Sequence, residues 1–141
     1  MKVDMARASA LFAVASCVWT LGCGTMTTPR YNGCVGTIDV SLTNVAALAG
    51  PRVSWSPACG ISELTVSTVP GPGAAPVLVW SINAPEQSPI GPGIVYGQTP
   101  RGATALRDAT PLVHGVTYRV SVGFTVGGDA LAGSGQNTFT F

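Results

Sequence analysis

Apolar and polar residues alternate with period two along much of the chain after Gly36, the pattern of strands with one buried face. "TIDVSLT" sets Ile38, Val40 and Leu42 on one face and Asp39, Ser41 and Thr43 on the other. "RVSW" continues with Val53 and Trp55 inward, Arg52 and Ser54 outward. "ISELTVST" turns Leu64 and Val66 to one side and Glu63, Thr65 and Ser67 to the other. "VLVWSIN" is a strand rich in β-formers, "IVYGQ" a short one, and "PRGATALRDATPL" holds a weak strand at most. The longest alternation is "TYRVSVGFTV". There Tyr118, Val120, Val122, Phe124 and Val126 oppose Thr117, Arg119, Ser121, Gly123 and Thr125. "GGDALAGSG" reads as the turn that follows, and "NTFTF" as a closing strand with Phe139 and Phe141 inward. Breakers such as "VPGPGAAP" and "APEQSPIGPG" separate these runs, and no amphipathic helix intervenes. About seven strands in about 110 residues predict an all-β fold, an antiparallel two-sheet sandwich. Strand number and length alone also allow a small barrel.

The first two strands carry a further expectation. Pairing them antiparallel around "NVAALAG" opposes residues whose numbers sum to about 93 or 94. Cys34 and Cys59 sum to 93, which puts them across from each other at the open end of the hairpin. A disulfide there closes the hairpin and stabilises by roughly 3 kcal/mol in the chain-entropy model. A metal site is disfavoured by the wide cysteine spacing and the single histidine.

Charge removes one class of function. Charged residues are 9% of the chain. After Cys23, Arg30, Arg52, Arg101, Arg107 and Arg119 balance Asp39, Glu63, Glu86, Asp108 and Asp129, five against five, with no lysine. Nucleic-acid binding needs a basic footprint, and this domain has none.

The N-terminus reads as an export signal, with Lys2 and Arg7 ahead of an apolar stretch from Ala8 to Gly22. That stretch is shorter than the roughly 20 apolar residues of a spanning helix. "VASC" and "TLGC" both resemble the end of a bacterial lipoprotein signal, in which a cysteine after small residues becomes lipidated. Cleavage at Cys23 leaves the polar tether "GTMTTPR" and removes Cys17; cleavage at Cys17 matches the motif better but leaves Cys23 as a spare thiol. Cys23 is the expected anchor, with Cys17 the alternative. The resemblance divides the chain into a signal peptide at 1–22, an anchor and tether at 23–33, and a β-sandwich at 34–141. With no aspartate after either cysteine, it implies export to the outer membrane or cell surface, facing the periplasm or the outside. The exported location agrees with a structural disulfide.

"LVHGVTY" resembles the corner between the fifth and sixth strands of fibronectin type III domains, through Leu112, Gly115 and Tyr118, with His114 where that family usually has proline. Trp55 in "RVSWSP" resembles the same family's core tryptophan on its second strand. The likeness spans roughly Gly36 to Phe141 and implies an immunoglobulin/fibronectin type III-like sandwich. The "PGPG" and "PIGPG" segments depart from its usual spacing. More loosely, "VSWSPACG", "VYGQTPRGA" and "PLVHGVTYRVSV" look like modules of exported bacterial lipoproteins, a likeness that implies no activity. In the corner, Tyr118 buries its ring and bonds backbone upstream, Gly115 makes the turn, and Leu112 closes the core.

No catalytic residue is expected. His114 is the only candidate base, and no serine sits in a G-x-S-x-G elbow; the serine of "GSGQN" lies in a turn segment. The five acids of the domain are isolated in sequence, with Asp39 and Glu63 on outward faces. "GGDALAG" offers calcium one carboxylate, and no phosphate-binding glycine loop leads into a helix, so neither metal nor cofactor is expected. Trp80 and Tyr96, beside Pro/Gly loops, are the possible ligand contacts. The reading is a non-catalytic, lipid-anchored interaction or adhesion module. Its partners would be the membrane, through the lipidated cysteine, and an envelope protein or glycan. The alternative is a carbohydrate-binding accessory module that uses exposed aromatics.

Overall fold

A computed structural model describes residues 32–141. The signal segment 1–22, Cys17, Cys23 and all of the tether except Asn32 and Gly33 lie outside the described residues. The described residues form nine strands and no helix. These are β1 (Gly36–Thr37), β2 (Asp39–Thr43), β3 (Arg52–Ser56), β4 (Glu63–Thr68), β5 (Leu78–Asn83), β6 (Ile94–Val95), β7 (Thr104–Arg107), β8 (Thr117–Val126) and β9 (Ala130–Thr140). They make two sheets, β1-β9-β8-β4-β5-β7 and β2-β3-β6.

The period-two pattern places the core between those sheets. Val40, Val53 and Trp55 of the smaller sheet are buried, as are Leu64, Val66, Trp80, Ile82, Val120 and Val122 of the larger. Burying both inner faces is what holds two sheets together, since each would otherwise leave an apolar surface in water. Strand β8 is the axis of the larger sheet, paired along its length with β9 and with β4. Tyr118, Val120, Val122 and Phe124 all point inward from it, as the alternation predicts. Val126 does not follow. The register shifts between Phe124 and Thr125, and Val126 is 43% exposed at the hairpin tip.

Four other expectations are corrected. Strands number nine rather than about seven, because the two-residue strands β1 and β6 are too short to show a period. Strand β1 runs parallel to β9, so the larger sheet is mixed rather than wholly antiparallel. The β2–β3 ladder pairs Val40 with Trp55 and Asp39 with Ser56, a sum of 95 instead of 93 or 94. The Cys34–Cys59 disulfide forms nonetheless, with the two Cα atoms 5.0 Å apart, because the chain leaves the ladder before reaching the cysteines. Upstream of β2 the chain turns to β9, and Cys34 donates its N–H to the Gly60 carbonyl at 2.8 Å.

The fourth correction concerns "GGDALAGSG". Only Gly127 to Asp129 make the turn, with Gly127 and Gly128 at φ 64° and 95°; β9 begins at Ala130 and includes Ser134. Gly133 and Gly135 are strand residues whose missing side chains make room for another backbone. A Cβ on Gly133 would lie 2.6 Å from the Cys34 carbonyl oxygen, and one on Gly135 would run into the Ile38 carbonyl. These glycines let the segment from Cys34 to Ile38 lie against β9 and close the edge of the sandwich.

Candidate functional site

The outer face of the larger sheet carries a groove of about 900 Å³. Its residues come from the outward half of the same alternation that builds the core. Register places Thr37, Ser134, Gly123 and Glu63 in one row across β1, β9, β8 and β4. Gln136, Ser121 and Thr65 form the next row across β9, β8 and β4. Gly123, Ser121 and Thr65 make a floor of small side chains, and Leu131 overhangs it, with Cδ1 3.3 Å from where a Gly123 Cβ would stand. Glu63 on β4 and Asp39, two residues past Thr37 on β2 of the smaller sheet, also line the groove.

Three strand spacings, about 14 Å, separate Thr37 from Glu63, and Asp39 stands two residues past Thr37 on the other sheet. Glycoside chemistry needs two carboxylates within about 5–9.5 Å of each other, and these two lie on different sheets. Asn137 holds the groove's edge. Its Nδ2 donates to the Val40 carbonyl at 2.7 Å, while its Oδ1 accepts the Thr138 N–H at 2.8 Å, bridging β2 to β9 where backbone pairing stops.

The aromatic candidates fall elsewhere. Trp80 is 1% exposed and packs in the core, so it cannot contact a ligand, which corrects its assignment. Both faces of β5 are covered around it, a condition that period-two reading cannot see. Tyr96 is half-buried, its ring 5.2 Å from that of Trp80 in an edge arrangement. Its hydroxyl donates to the Thr110 carbonyl at 2.6 Å. Burial, and secondarily Coulombic repulsion from the neighbouring Tyr118 phenol, pushes the Tyr96 phenol up to about 12. Tyr96 also lines a small apolar pocket of about 290 Å³ with Leu48, Leu112 and Phe141.

At the corner, Tyr118 is buried and its hydroxyl accepts the Val113 N–H at 2.8 Å. Its ring stacks on Phe139 at 5.4 Å. Gly115 takes φ 79° and donates its N–H to the Phe141 carbonyl at 2.7 Å, and Leu112 packs half-buried against the core. Replacing Tyr118 by phenylalanine leaves the Val113 N–H without its acceptor and should cost about 1 kcal/mol in urea unfolding. No measurable loss would mean that the hydroxyl does not hold the corner.

Trp55 is buried with Nε1 donating to the Cys59 carbonyl at 2.8 Å, which ties the core of β3 to the disulfide turn. His114 is exposed. Its Nδ1 lies 3.2 Å from the Phe141 carbonyl oxygen, so that nitrogen carries the proton in this contact, and its ring rests against Phe141. That partner is the main chain of Phe141, neither a serine nor an acidic side chain. Among the described residues no three His, Cys, Asp or Glu side chains gather as a metal-holding group.

Sequence reading found the corner but not the groove. Serine, threonine and glutamine on outward strand faces look alike whichever strands are neighbours, and only the order of the sheet aligns them. Comparisons with protein-family models, with curated proteins and with solved structures give no match.

Proposed function

We propose that the chain is a lipid-anchored, non-catalytic cell-envelope protein whose sandwich is a fibronectin type III-like interaction or adhesion module. The observation that carries the reading is the strand order. Immunoglobulin-type sandwiches set strands A, B and E on one sheet against C, F and G on the other. Here β2, β3 and β6 take the places of A, B and E, and β4, β8 and β9 those of C, F and G, with β5 beside β4. The corner tyrosine then stands at the start of F and Trp55 on B, where the sequence motifs put them. The parallel strand β1 and the extra edge strand β7 are this chain's own additions. The Cys34–Cys59 bridge supports an oxidising, exported location. Recognition is assigned to the surface and not to the aromatics, because Trp80 is in the core.

The anchor is tested on protein extracted from membranes. Mass spectrometry of its N-terminal peptide should show an acylated Cys23, and an unmodified N-terminus at another position would overturn the anchor. The same protein, immobilised, should retain purified envelope fractions saturably. Retention that survives unfolding of the domain would count against a folded module.

A further inference from the structure

We propose that the end of the sandwich around Leu48 is a self-association surface, on which the Leu48 side chain of each copy fills a small apolar pocket of the other in a two-fold pair. The proposal rests on the interaction-module reading and names the partner as a second copy of this chain. It starts from the loop between β2 and β3. Asn44 takes φ 54°, and two successive turns follow, in which the Ala47 N–H donates to the Asn44 carbonyl at 3.0 Å and the Gly50 N–H to the Ala47 carbonyl at 2.8 Å. Gly50, at φ 82°, seats the loop on the domain, because a Cβ there would lie 2.8 Å from the Tyr96 Cβ. Leu48 is the second residue of the second turn and is fully exposed. An exposed leucine alone is ordinary. This one stands at the mouth of the 290 Å³ pocket walled by Tyr96, Pro111, Leu112 and Phe141.

The pocket suits an aliphatic occupant. Its polar groups are already engaged: the Tyr96 hydroxyl donates to the Thr110 carbonyl, the Tyr96 N–H to the Pro51 carbonyl, and the Phe141 carbonyl accepts the Gly115 N–H. A sugar would find its hydroxyls unpaired there. The space exceeds the ~150 Å³ of a cavity lined by leucine, isoleucine and phenylalanine that stays dry and takes an apolar guest. A knob beside a hole of the same chemistry is what a two-fold contact requires, since the patch must be complementary to itself. Charge permits the same pairing. Residues 44–50 and 110–117 contain no Asp, Glu, Lys or Arg, and Arg52, just past the loop, donates to the Gly93 carbonyl at 2.7 Å. Val113, exposed next to Leu112, widens the apolar contact. Two sheets about 10 Å apart and three or four strands wide present an end of roughly 400–500 Å², so a pair buries about 800–1,000 Å², the size of a weak, reversible contact. Position gives such a contact a use. The described chain enters at the other end, where Gly33 lies against Phe124, about 20 Å along β8 from Tyr118. Chains anchored upstream of Gly33 therefore hold Leu48 away from the membrane, and pairing joins two facing surfaces through many weak contacts acting together.

The test is sedimentation equilibrium of the full-length chain in neutral detergent, with micelles in excess and protein up to about 200 µM. A monomer–dimer equilibrium is expected, with a Kd of about 10–100 µM. Leu48→Asp should weaken it at least about tenfold, because a carboxylate would enter an apolar pocket twice in each pair. The side chain is fully exposed, so near-ultraviolet circular dichroism should not change. Ala49→Arg, with a charge at the pocket's mouth, should act alike, and Leu48→Met should keep the pair. Leu131→Asp alters an exposed leucine near the opposite end and should change nothing. Phosphatidylcholine vesicles carrying the chain should cluster in light scattering, and vesicles carrying Leu48→Asp should not. No dimer at the highest concentration, a dimer indifferent to Leu48→Asp, or one lost equally in Leu131→Asp would overturn the surface. Dimers in detergent without clustering of vesicles would overturn its end-to-end use. Envelope material retained by a chain that stays monomeric would overturn self-association and leave the module reading standing.

Discussion

Trp80→Ala should cost about 3–5 kcal/mol of stability, the range for deleting a large buried aromatic side chain. A domain of this kind has only about 5–15 kcal/mol in total, so the variant should be close to unfolding at ambient temperature. Trp80 pairs with Val66 across β4–β5, and its ring meets the edge of Tyr96. Its removal empties the space between the central strands and the end where Tyr96, Leu112 and Phe141 gather. It also loosens β5, the strand that joins β7 to the rest of the larger sheet. Urea unfolding followed by circular dichroism gives the cost directly. A loss below about 1 kcal/mol would place Trp80 outside a packed core and reopen the aromatic surface on which the carbohydrate reading depends.

The contrast between Trp80 and Tyr118 shows where sequence reading succeeds and where it stops. Tyr118 is the second residue of a ten-residue strand that alternates cleanly as far as Phe124, so its inward direction follows from period two alone, and the corner motif supplies its hydroxyl's partner. Strand β5 is covered on both faces, and Ser81 is buried beside Trp80, so alternation carries no information about which aromatic is exposed. Glycine is ambiguous for a different reason. Gly127 and Gly128 are needed for positive φ in a turn, whereas Gly133 and Gly135 are needed because another segment's backbone lies against them. Both uses give the same letter, and the second depends on a contact about 100 positions away in sequence, between Cys34 and Gly133. The groove was hidden in the same way. Thr37 and Glu63 share a row only because β1, β9, β8 and β4 are neighbours, which no local pattern of Ser, Thr and Gln encodes.

Removing the disulfide by the paired substitution Cys34→Ala and Cys59→Ala should cost about 3 kcal/mol, from the entropy returned to the unfolded chain. The bridge spans 25 residues and encloses β1, β2 and β3, the part of the sandwich with the fewest strand neighbours. Its effect should also be uneven. Cys34 is buried, and just upstream a Cβ on Gly33 would collide with the Phe124 ring, so this end of the chain is clamped where it enters the domain. Without the bridge that clamp rests on the two residues of β1 and on single backbone bonds such as Ile38 N–H to the Ser134 carbonyl at 2.9 Å. Amide exchange should therefore rise first at Ile38 and along β1, while β4 and β8 keep their protection until the whole domain opens. Uniform exchange across both sheets would mean that the bridge stabilises the sandwich as a whole, with no separate hold on the segment from Cys34 to Ile38.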